Sequence, residues 1–294
     1  MALTLIILFL ASALAGVTYY FGGYHNSIFW IWLPFVLALA YFWAIFLVYA
    51  CALGIVSTIV KHGDKQERLP NRFAMWILAE TCYVLSLFFR ISVHGNGLGK
   101  LPDKNTPFML VSNHLSGMDH GYLFSRIPGY KIICVSKKDN EKSPFAGGWI
   151  KLAGYLPIDQ NDMVGGAKVI EKAASYIANG TCSVAIAPEG TRNKTFPDPE
   201  LLPFKAGAFD MAYKSHCPIV VFAIQNTNCV LKRFPLRHTD VYFDCVARLE
   251  YDEYKDLTPA ELAERCRALI MRRFDQKRAR FYHVKPKKSQ KEER

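Results

Sequence analysis

The chain has 294 residues, of which 51% are hydrophobic, and a formal net charge of +11. This length is enough for one sizeable catalytic domain with a membrane segment, or for two small domains. The basic excess suits an anionic lipid surface or a phosphorylated substrate, and the lack of a nucleic-acid recognition motif argues against a nucleic-acid-binding protein.

The first 60 residues contain no Lys, Arg, Asp or Glu. Residues 2–20 are apolar and long enough to cross a bilayer core of about 30 Å, and after a Gly-containing turn residues 28–60 form a second uncharged run. At about 1.5 Å per residue the second run exceeds the core, so we expect it to tilt, to kink at Pro34 or to extend beyond the core. The sequence therefore predicts a membrane anchor of two transmembrane helices over residues 1–62.

Basic residues follow the second apolar run, whereas the turn between the two runs has no Lys or Arg. The basic residues are Lys61, Lys65, Arg68 and Arg72. By the positive-inside rule, an integral membrane protein of the cytoplasmic or inner membrane is expected, with the rest of the chain facing the cytoplasm. A cleavable signal peptide is the alternative for the first run, because residues 13–15 resemble a small-residue cleavage site, but a positively charged start is missing.

A third apolar stretch, residues 71–90, carries Glu80 and is bracketed by Arg72 and Arg90. It could cross the membrane or be an ordinary core helix. We expect an interfacial helix that lies under the following domain, and assign residues 63–90 as an interfacial or connecting segment.

From residue 91 onward, short apolar runs alternate with helical segments, which is typical of a layered α/β domain. Strands are predicted at residues 91–94, 108–112, 131–136, 155–158, 182–187, 218–224 and 241–250. Helices are predicted at residues 119–126, 145–152, 163–179, 206–216 and 258–280. This domain is assigned to residues 91–284, and the charged tail over residues 285–294 is expected to be disordered.

His114 and Asp119 follow the second predicted strand, with a Gly-containing turn between them. Ligands and catalytic groups favour this end of a strand in α/β sheets. The carboxylate can hold one imidazole nitrogen and leave the other free to take a proton, which is the arrangement of a general base. The alternative is a structural histidine beside a helix cap.

No Ser or Cys is obviously paired with His114 as a nucleophile, and only His120 lies nearby as a further metal ligand. The eight cysteines contain no C-x-x-C pair and no zinc-type spacing with histidine. We therefore expect reduced, mostly buried thiols in a cytosolic domain, with no metal site.

The turn Glu189-Gly190-Thr191-Arg192 follows the fifth predicted strand. Its backbone amides, the Thr191 hydroxyl and the Arg192 guanidinium suit a phosphate group. Glu189 is expected to orient Arg192 or a loop amide rather than to perform chemistry. A charged surface loop is the alternative interpretation.

Four more residues are candidates for substrate binding. Lys205 precedes a small-residue helix start and could add charge to the phosphate pocket, while amides after Gly207 could bind an anion. Gly154 and Asp159 flank the fourth predicted strand, and Lys137 stands at the end of the third, where surface charge is the alternative.

Four segments in this order resemble the motifs of glycerolipid acyltransferases. They are Asn113-His114 with Ser116 and Asp119 (H-x4-D), Gly154 to Asp159, Glu189-Gly190-Thr191-Arg192 (E-G-T-R) and Cys217-Pro218-Ile219-Val220. The resemblance implies a fold with a central mixed sheet flanked by helices. It is greatest to 1-acylglycerol-3-phosphate acyltransferases, which implies transfer of an acyl group from acyl-CoA or acyl-carrier protein to the sn-2 hydroxyl of lysophosphatidic acid, giving phosphatidic acid.

The resemblance also implies the roles of residues. His114 would deprotonate the acceptor hydroxyl, Asp119 would orient His114, and Arg192 with the Gly190–Thr191 turn would hold the phosphate, without a metal, a cofactor or an acyl-enzyme. One position departs from the family pattern, because Gln160 stands where an arginine is common. Another lysophospholipid or glycerol 3-phosphate is therefore an alternative acceptor, and a membrane lipid-binding protein without turnover is a more distant alternative.

Overall fold

The computed structural model describes residues 2–62, 69–193 and 201–274. Its strands are β1 (Ile91–Asn96), β2 (Met109–Ser112), β3 (Ile132–Lys137), β4 (Leu156–Ile158), β5 (Ser183–Ile186), β6 (Ile219–Gln225) and β7 (Thr239–Leu249). Its helices are α1 (Ala2–Phe21), α2 (Leu33–His62), α3 (Arg72–Phe88), α4 (Asp119–Arg126), α5 (Gly147–Leu152), α6 (Met163–Ala178), α7 (Asp210–Ser215), α8 (Val230–Arg233) and α9 (Pro259–Arg273). The layered α/β prediction is confirmed, whereas the short α8 was not predicted.

Some predictions fall outside the described residues. They concern residues 275–280 of the last predicted helix, the tail over residues 285–294, and the basic residues Lys65 and Arg68. The predicted helix is already wrong at Phe274, which has extended dihedral angles (φ −63°, ψ 112°) and ends α9 at Arg273. Within the described part, α9 begins as its sequence predicts, because the Thr258 side chain accepts a hydrogen bond from the Glu261 amide and Pro259 occupies the first helical position.

The seven strands form one mixed sheet in the order β1-β7-β6-β2-β5-β3-β4. The strands β2 to β6 are mutually parallel, whereas β7 is antiparallel to β6 and parallel to β1. Because parallel strands end at the same edge of a sheet, the loops after β2, β5 and β6 meet there. The loop after β2 lies between the other two.

Both faces of the sheet are covered by helices, and β6 shows why. Its residues alternate between two apolar clusters, and all seven are buried. Ile219, Val221 and Ala223 join the cluster that contains α6, α7 and α9, while Val220, Phe222 and Ile224 join the cluster that contains α3, α4 and α8. A continuous apolar strand of this kind is expected in a sheet buried on both sides.

The two N-terminal helices, α1 and α2, are long and apolar enough to cross a membrane. They pack against each other, and the hydroxyls of Thr18 and Tyr41 lie 2.8 Å apart between them. Pro34 lies in the first turn of α2, where a missing N–H costs no helical hydrogen bond. Of the options considered for the second apolar run, a kink at Pro34 does not occur, because the helix begins at that point.

The last turns of α2 dock on the α/β domain. Leu53, Ser57 and Val60 are its buried residues. The amide of Gly148 donates to Ser57 Oγ at 2.9 Å, and Trp149 Nε1 donates to the Leu53 carbonyl at 3.0 Å. The last turns of α2 thus pack on α5.

Helix α3 has two different faces. Its buried residues include Ala74, Ile77 and Cys82, which contact α5, α4 and the sheet. Phe73, Trp76, Leu87 and Phe88 are exposed. The helix is therefore part of the domain core on one side and presents an apolar surface on the other, while its location at a membrane interface stays a prediction.

Candidate active site

His114 and Asp119 meet across the turn that follows β2. His114 Nδ1 lies 2.9 Å from Asp119 Oδ2, and the same oxygen accepts hydrogen bonds from the amides of Leu115 at 2.7 Å and Ser116 at 2.9 Å. Asp119 is fully buried, whereas the His114 side chain is 25% exposed. Because the carboxylate accepts, the hydrogen of a neutral His114 belongs on Nδ1, which leaves Nε2 as the nitrogen that can take a proton.

The turn is built by the residues between the pair. The Ser116 hydroxyl accepts the Met118 amide at 3.3 Å, and α4 begins at Asp119. A carboxylate in the first turn of a helix is favoured by the helix dipole. Ser116 thus stabilises the turn, and the N-cap position of α4 is Met118, which makes no side-chain cap.

The main chain of His114 is fixed from two neighbouring strands. The Asn113 side chain donates to the Ile224 carbonyl at 3.0 Å and accepts from the Ile224 amide at 2.7 Å, which ties the end of β2 to β6. On the other side, the Asn193 amide donates to the His114 carbonyl at 2.8 Å. The position of the imidazole is therefore set by contacts distant in sequence.

Glu189 joins the loop after β5 to the same histidine. Its Oε1 accepts the His114 amide at 2.7 Å and its Oε2 accepts the Leu202 amide at 3.2 Å. The residue is 4% exposed, and burial raises its pKa to about 7 although the two amide hydrogen bonds oppose the increase. Glu189 is expected to orient either Arg192 or a loop amide, and in the structure its carboxylate contacts main-chain amides.

Gly190, Lys205 and Gln160 come together beside Glu189. Gly190 has a φ of 70°, and a Cβ there would lie 2.9 Å from Lys205 Cε and Nζ. The Lys205 amide donates to the Pro188 carbonyl at 3.0 Å, and Gln160 Nε2 donates to the Gly190 carbonyl. Lys205 thus lies against the 189–192 loop, and Gln160 contacts the same loop.

A cleft of about 550 Å³ opens beside the turn between His114 and Asp119. Thr191 and Arg192 are exposed, and Arg192 lines this cleft. Its other lining residues are Leu85, Phe89, Leu115, Ser116, Met118, Tyr122, Thr227, Asn228, Val230, Leu231 and Lys232. The residues after β6 were not predicted as part of the site. The sequence pattern that could have indicated them is a buried apolar strand followed directly by polar residues.

Other candidate residues lie away from this cleft. Lys137 is exposed and pairs with Asp139 at 2.9 Å, which matches the surface-charge alternative. Asp159 accepts the Asn161 amide at 3.0 Å in an exposed turn. Gly154 has a φ of 77° and precedes β4, at the opposite end of that strand from Asp159. It allows the turn between α5 and β4 and does not join the His114 site.

The small helix start after Lys205 differs from its prediction. Residues Ala206–Phe209 form a 3-10 turn, and the α7 helix that follows has six residues. One short turn of this kind offers few aligned amides, so the structure gives no support for an anion site after Gly207.

The other groups considered for chemistry are the cysteine thiols, metal-binding side chains and His120. Seven of the eight free cysteines are buried, and burial raises the pKa of Cys182 and Cys266 to about 12, which keeps them as protonated thiols. Within residues 2–62, 69–193 and 201–274, no group of three or more His, Cys, Asp or Glu side chains is placed to hold a metal ion. Burial also lowers the pKa of His120 to about 4, so this neighbour is neutral near pH 7.

The chain is similar in sequence to several acyltransferases. The 1-acyl-sn-glycerol-3-phosphate acyltransferase of Saccharomyces cerevisiae is 28% identical over 60% of this chain and 56% of its own length. The enzyme of the same name from Salmonella typhimurium is 30% identical over 54% of this chain and 64% of its own length. A chloroplastic enzyme of that name from Brassica napus is 32% identical over 51% of this chain and 43% of its own. The chain spans about half the length of the curated relatives it matches.

A solved structure shares the fold. The crystal structure of the 1-acyl-sn-glycerophosphate (LPA) acyltransferase PlsC from Thermotoga maritima superposes with a TM-score of 0.55 at 16% identity, covering 91% of this chain and 93% of that one. The acyltransferase family model matches residues 90–225, which contain His114, Asp119 and the 189–192 loop. Residues 90–225 therefore form a domain of the acyltransferase family.

Proposed function

We propose that this chain transfers a fatty acyl group from acyl-CoA or acyl-carrier protein to the sn-2 hydroxyl of 1-acylglycerol 3-phosphate, giving phosphatidic acid. The observation on which this depends most is the 2.9 Å contact between His114 Nδ1 and the buried Asp119, beside a cleft with apolar and cationic walls. The names of the relatives support the same activity.

The proposed mechanism uses His114 as a general base. Its Nε2 accepts the proton of the sn-2 hydroxyl while the hydroxyl oxygen attacks the carbonyl carbon of the thioester. The carbon–sulfur bond then breaks, and the proton on Nε2 passes to the departing sulfur, which leaves as a thiol. Asp119 holds the ring and stabilises the imidazolium between these steps; such a base contributes about 10² to 10⁴-fold. The thioester is already activated, so the proposal includes no cofactor, metal or acyl-enzyme.

The membrane is the proposed location of the acceptor. We propose that α1 and α2 anchor the chain in the bilayer, because both helices are apolar, and most of their side chains are exposed to the surroundings of the protein. Lys61 and His62 end α2 where it reaches the domain. Their position agrees with a catalytic domain on the cytoplasmic face of a cytoplasmic or inner membrane.

Purified protein in detergent tests the proposed activity directly. Labelled acyl-CoA or acyl-carrier protein is offered with lysophosphatidic acid, lysophosphatidylcholine, lysophosphatidylglycerol or glycerol 3-phosphate in parallel. We expect the highest kcat/KM with lysophosphatidic acid. Turnover confined to one of the other acceptors would replace the proposed acceptor, and absence of turnover with all of them would favour a lipid-binding protein.

Arg192→Ala is expected to raise the KM for lysophosphatidic acid about 10 to 100-fold and to change kcat less, because one charge-assisted contact to phosphate is removed. The expectation depends on the exposed guanidinium, which makes no hydrogen bond or ion pair with another residue in the described ranges and lines the cleft. Initial rates at varied acceptor concentration measure it. Arg265→Ala, an exposed position on α9, is the control, and an unchanged KM in Arg192→Ala would remove Arg192 from the phosphate site.

A further inference from the structure

The segment after β6 forms the wall of the cleft opposite the 189–192 loop. In the sheet, β2 lies between β6 and β5, so the turn after His114 has a loop on either side. Arg192 comes from the β5 side, while Thr227 and Lys232 come from the β6 side, and all three line the same cleft. A group bound in this cleft thus lies against the turn that follows His114 and within a space that both loops border.

Two polar groups on the β6 side are available to a ligand. Thr227 is 3% exposed, and its Oγ1 has no hydrogen-bond partner in the described part of the chain. A buried hydroxyl without a partner destabilises the fold, and a ligand oxygen that accepts its hydrogen bond would relieve this cost. The Lys232 ammonium is exposed and makes no hydrogen bond or ion pair with any residue that the structure describes. Together they offer one hydroxyl and one cation.

Apart from Asn228, the residues next to Thr227 and Lys232 in this lining are apolar. Leu85 and Phe89 come from α3 and its end, and Val230 and Leu231 come from α8. Leu231 is 74% exposed, so the apolar lining continues to the surface of the domain. A cleft that is apolar along one side and carries cations at its rim matches an amphiphile with a charged head and a hydrocarbon chain.

We propose that Thr227 and Lys232 bind the phosphorylated head of the lysolipid acceptor, opposite Arg192, and that the apolar wall of α3 and α8 holds its acyl chain. The proposal rests on the proposed function, since it assigns the acceptor of that reaction. The phosphates of acyl-CoA share the same charge, but they are separated from the reacting thioester by the pantetheine arm. In the acceptor, the phosphate is esterified to the sn-3 carbon, which is bonded directly to the carbon that bears the sn-2 hydroxyl. This short separation suits a cleft bordered by the turn after His114.

The test compares Lys232→Met, which keeps most of the aliphatic volume, with wild type in detergent micelles. We expect the KM for lysophosphatidic acid to rise about tenfold, with kcat within about twofold and the KM for the acyl donor unchanged. Lys232→Arg keeps the charge and should stay near wild type. Thr227→Val should raise the acceptor KM by about threefold through loss of the hydroxyl. Lys214→Ala, an exposed lysine on α7, is the matched control.

An unchanged acceptor KM in Lys232→Met would overturn the assignment while leaving the proposed function intact. A rise in the donor KM alone would also overturn it, because the site would then hold the donor's phosphates. If wild type does not acylate lysophosphatidic acid, the proposed function fails separately. Calorimetric titration of 1-acylglycerol 3-phosphate into micellar protein then decides the subsite: weaker binding by Lys232→Met supports it, and equal binding refutes it.

Discussion

Replacement of His114 by alanine is expected to reduce acyl transfer by about 10³-fold or more, because the variant loses the Asp119-paired imidazole that is proposed to accept the hydroxyl proton. The melting temperature should change little, since the imidazole is partly exposed and its backbone contacts to Glu189 and Asn193 remain. Single-turnover rates with labelled acyl-CoA, together with thermal melting, measure both quantities.

The chain contains a matched control for this variant. His94 Nε2 lies 2.8 Å from Asp240 Oδ1, so the two residues form a second His–Asp pair at a similar distance, made through the other ring nitrogen and with a partly exposed carboxylate. This pair joins β1 and β7, at the sheet edge where the strands run opposite to β2, and His94 is 44% exposed. His94→Ala should therefore retain activity within about twofold. Near-normal turnover by His114→Ala, or equal losses in the two variants, would refute His114 as the base.

The sequence predicted the local parts of the fold and site well for a physical reason. Strand and helix periodicity depends on neighbouring residues, and β6 with its alternating apolar faces is an example. His114 and Asp119 are five positions apart, so a single turn brings them together. The adjacency of β6 and β2 depends instead on the order of strands, which periodicity does not contain.

The contacts that sequence analysis did not predict are those that depend on this strand order. The Asn113 contacts to Ile224 join strands far apart in sequence, as does the contact of the Gln160 side chain to Gly190. Thr227 and Lys232 enter the cleft only because β6 pairs with β2. By contrast, Lys137 and Gly154 adjoin strands as predicted but do not line that cleft, which lies at the loops after β2, β5 and β6.

Glu189→Ala is expected to lower both activity and stability. The amides of His114 and Leu202 would lose their acceptor, at a cost of about 1 to 3 kcal/mol in the free energy of unfolding. The main chain of the base would also lose its contact to the 189–192 loop, and a displacement of about 1 Å at a catalytic group can cost about 10²-fold in rate. Thermal melting and kcat measure these effects, with Glu171→Ala on the exposed face of α6 as the control.

The pH dependence of stability separates this role from a simple packing defect. Burial raises the Glu189 pKa from 4.5 to about 7, so the folded chain holds this proton more tightly than the unfolded chain does. The contribution of Glu189 to stability is therefore fully present below about pH 4.5 and is lost as the pH rises towards 7. Glu189→Gln cannot titrate, and its melting temperature should lack this decrease. If the melting temperature of Glu189→Gln instead changes with pH between 5 and 8 as that of the wild type does, Glu189 is ionised throughout this range. Its two amide hydrogen bonds would then outweigh the effect of burial on its pKa.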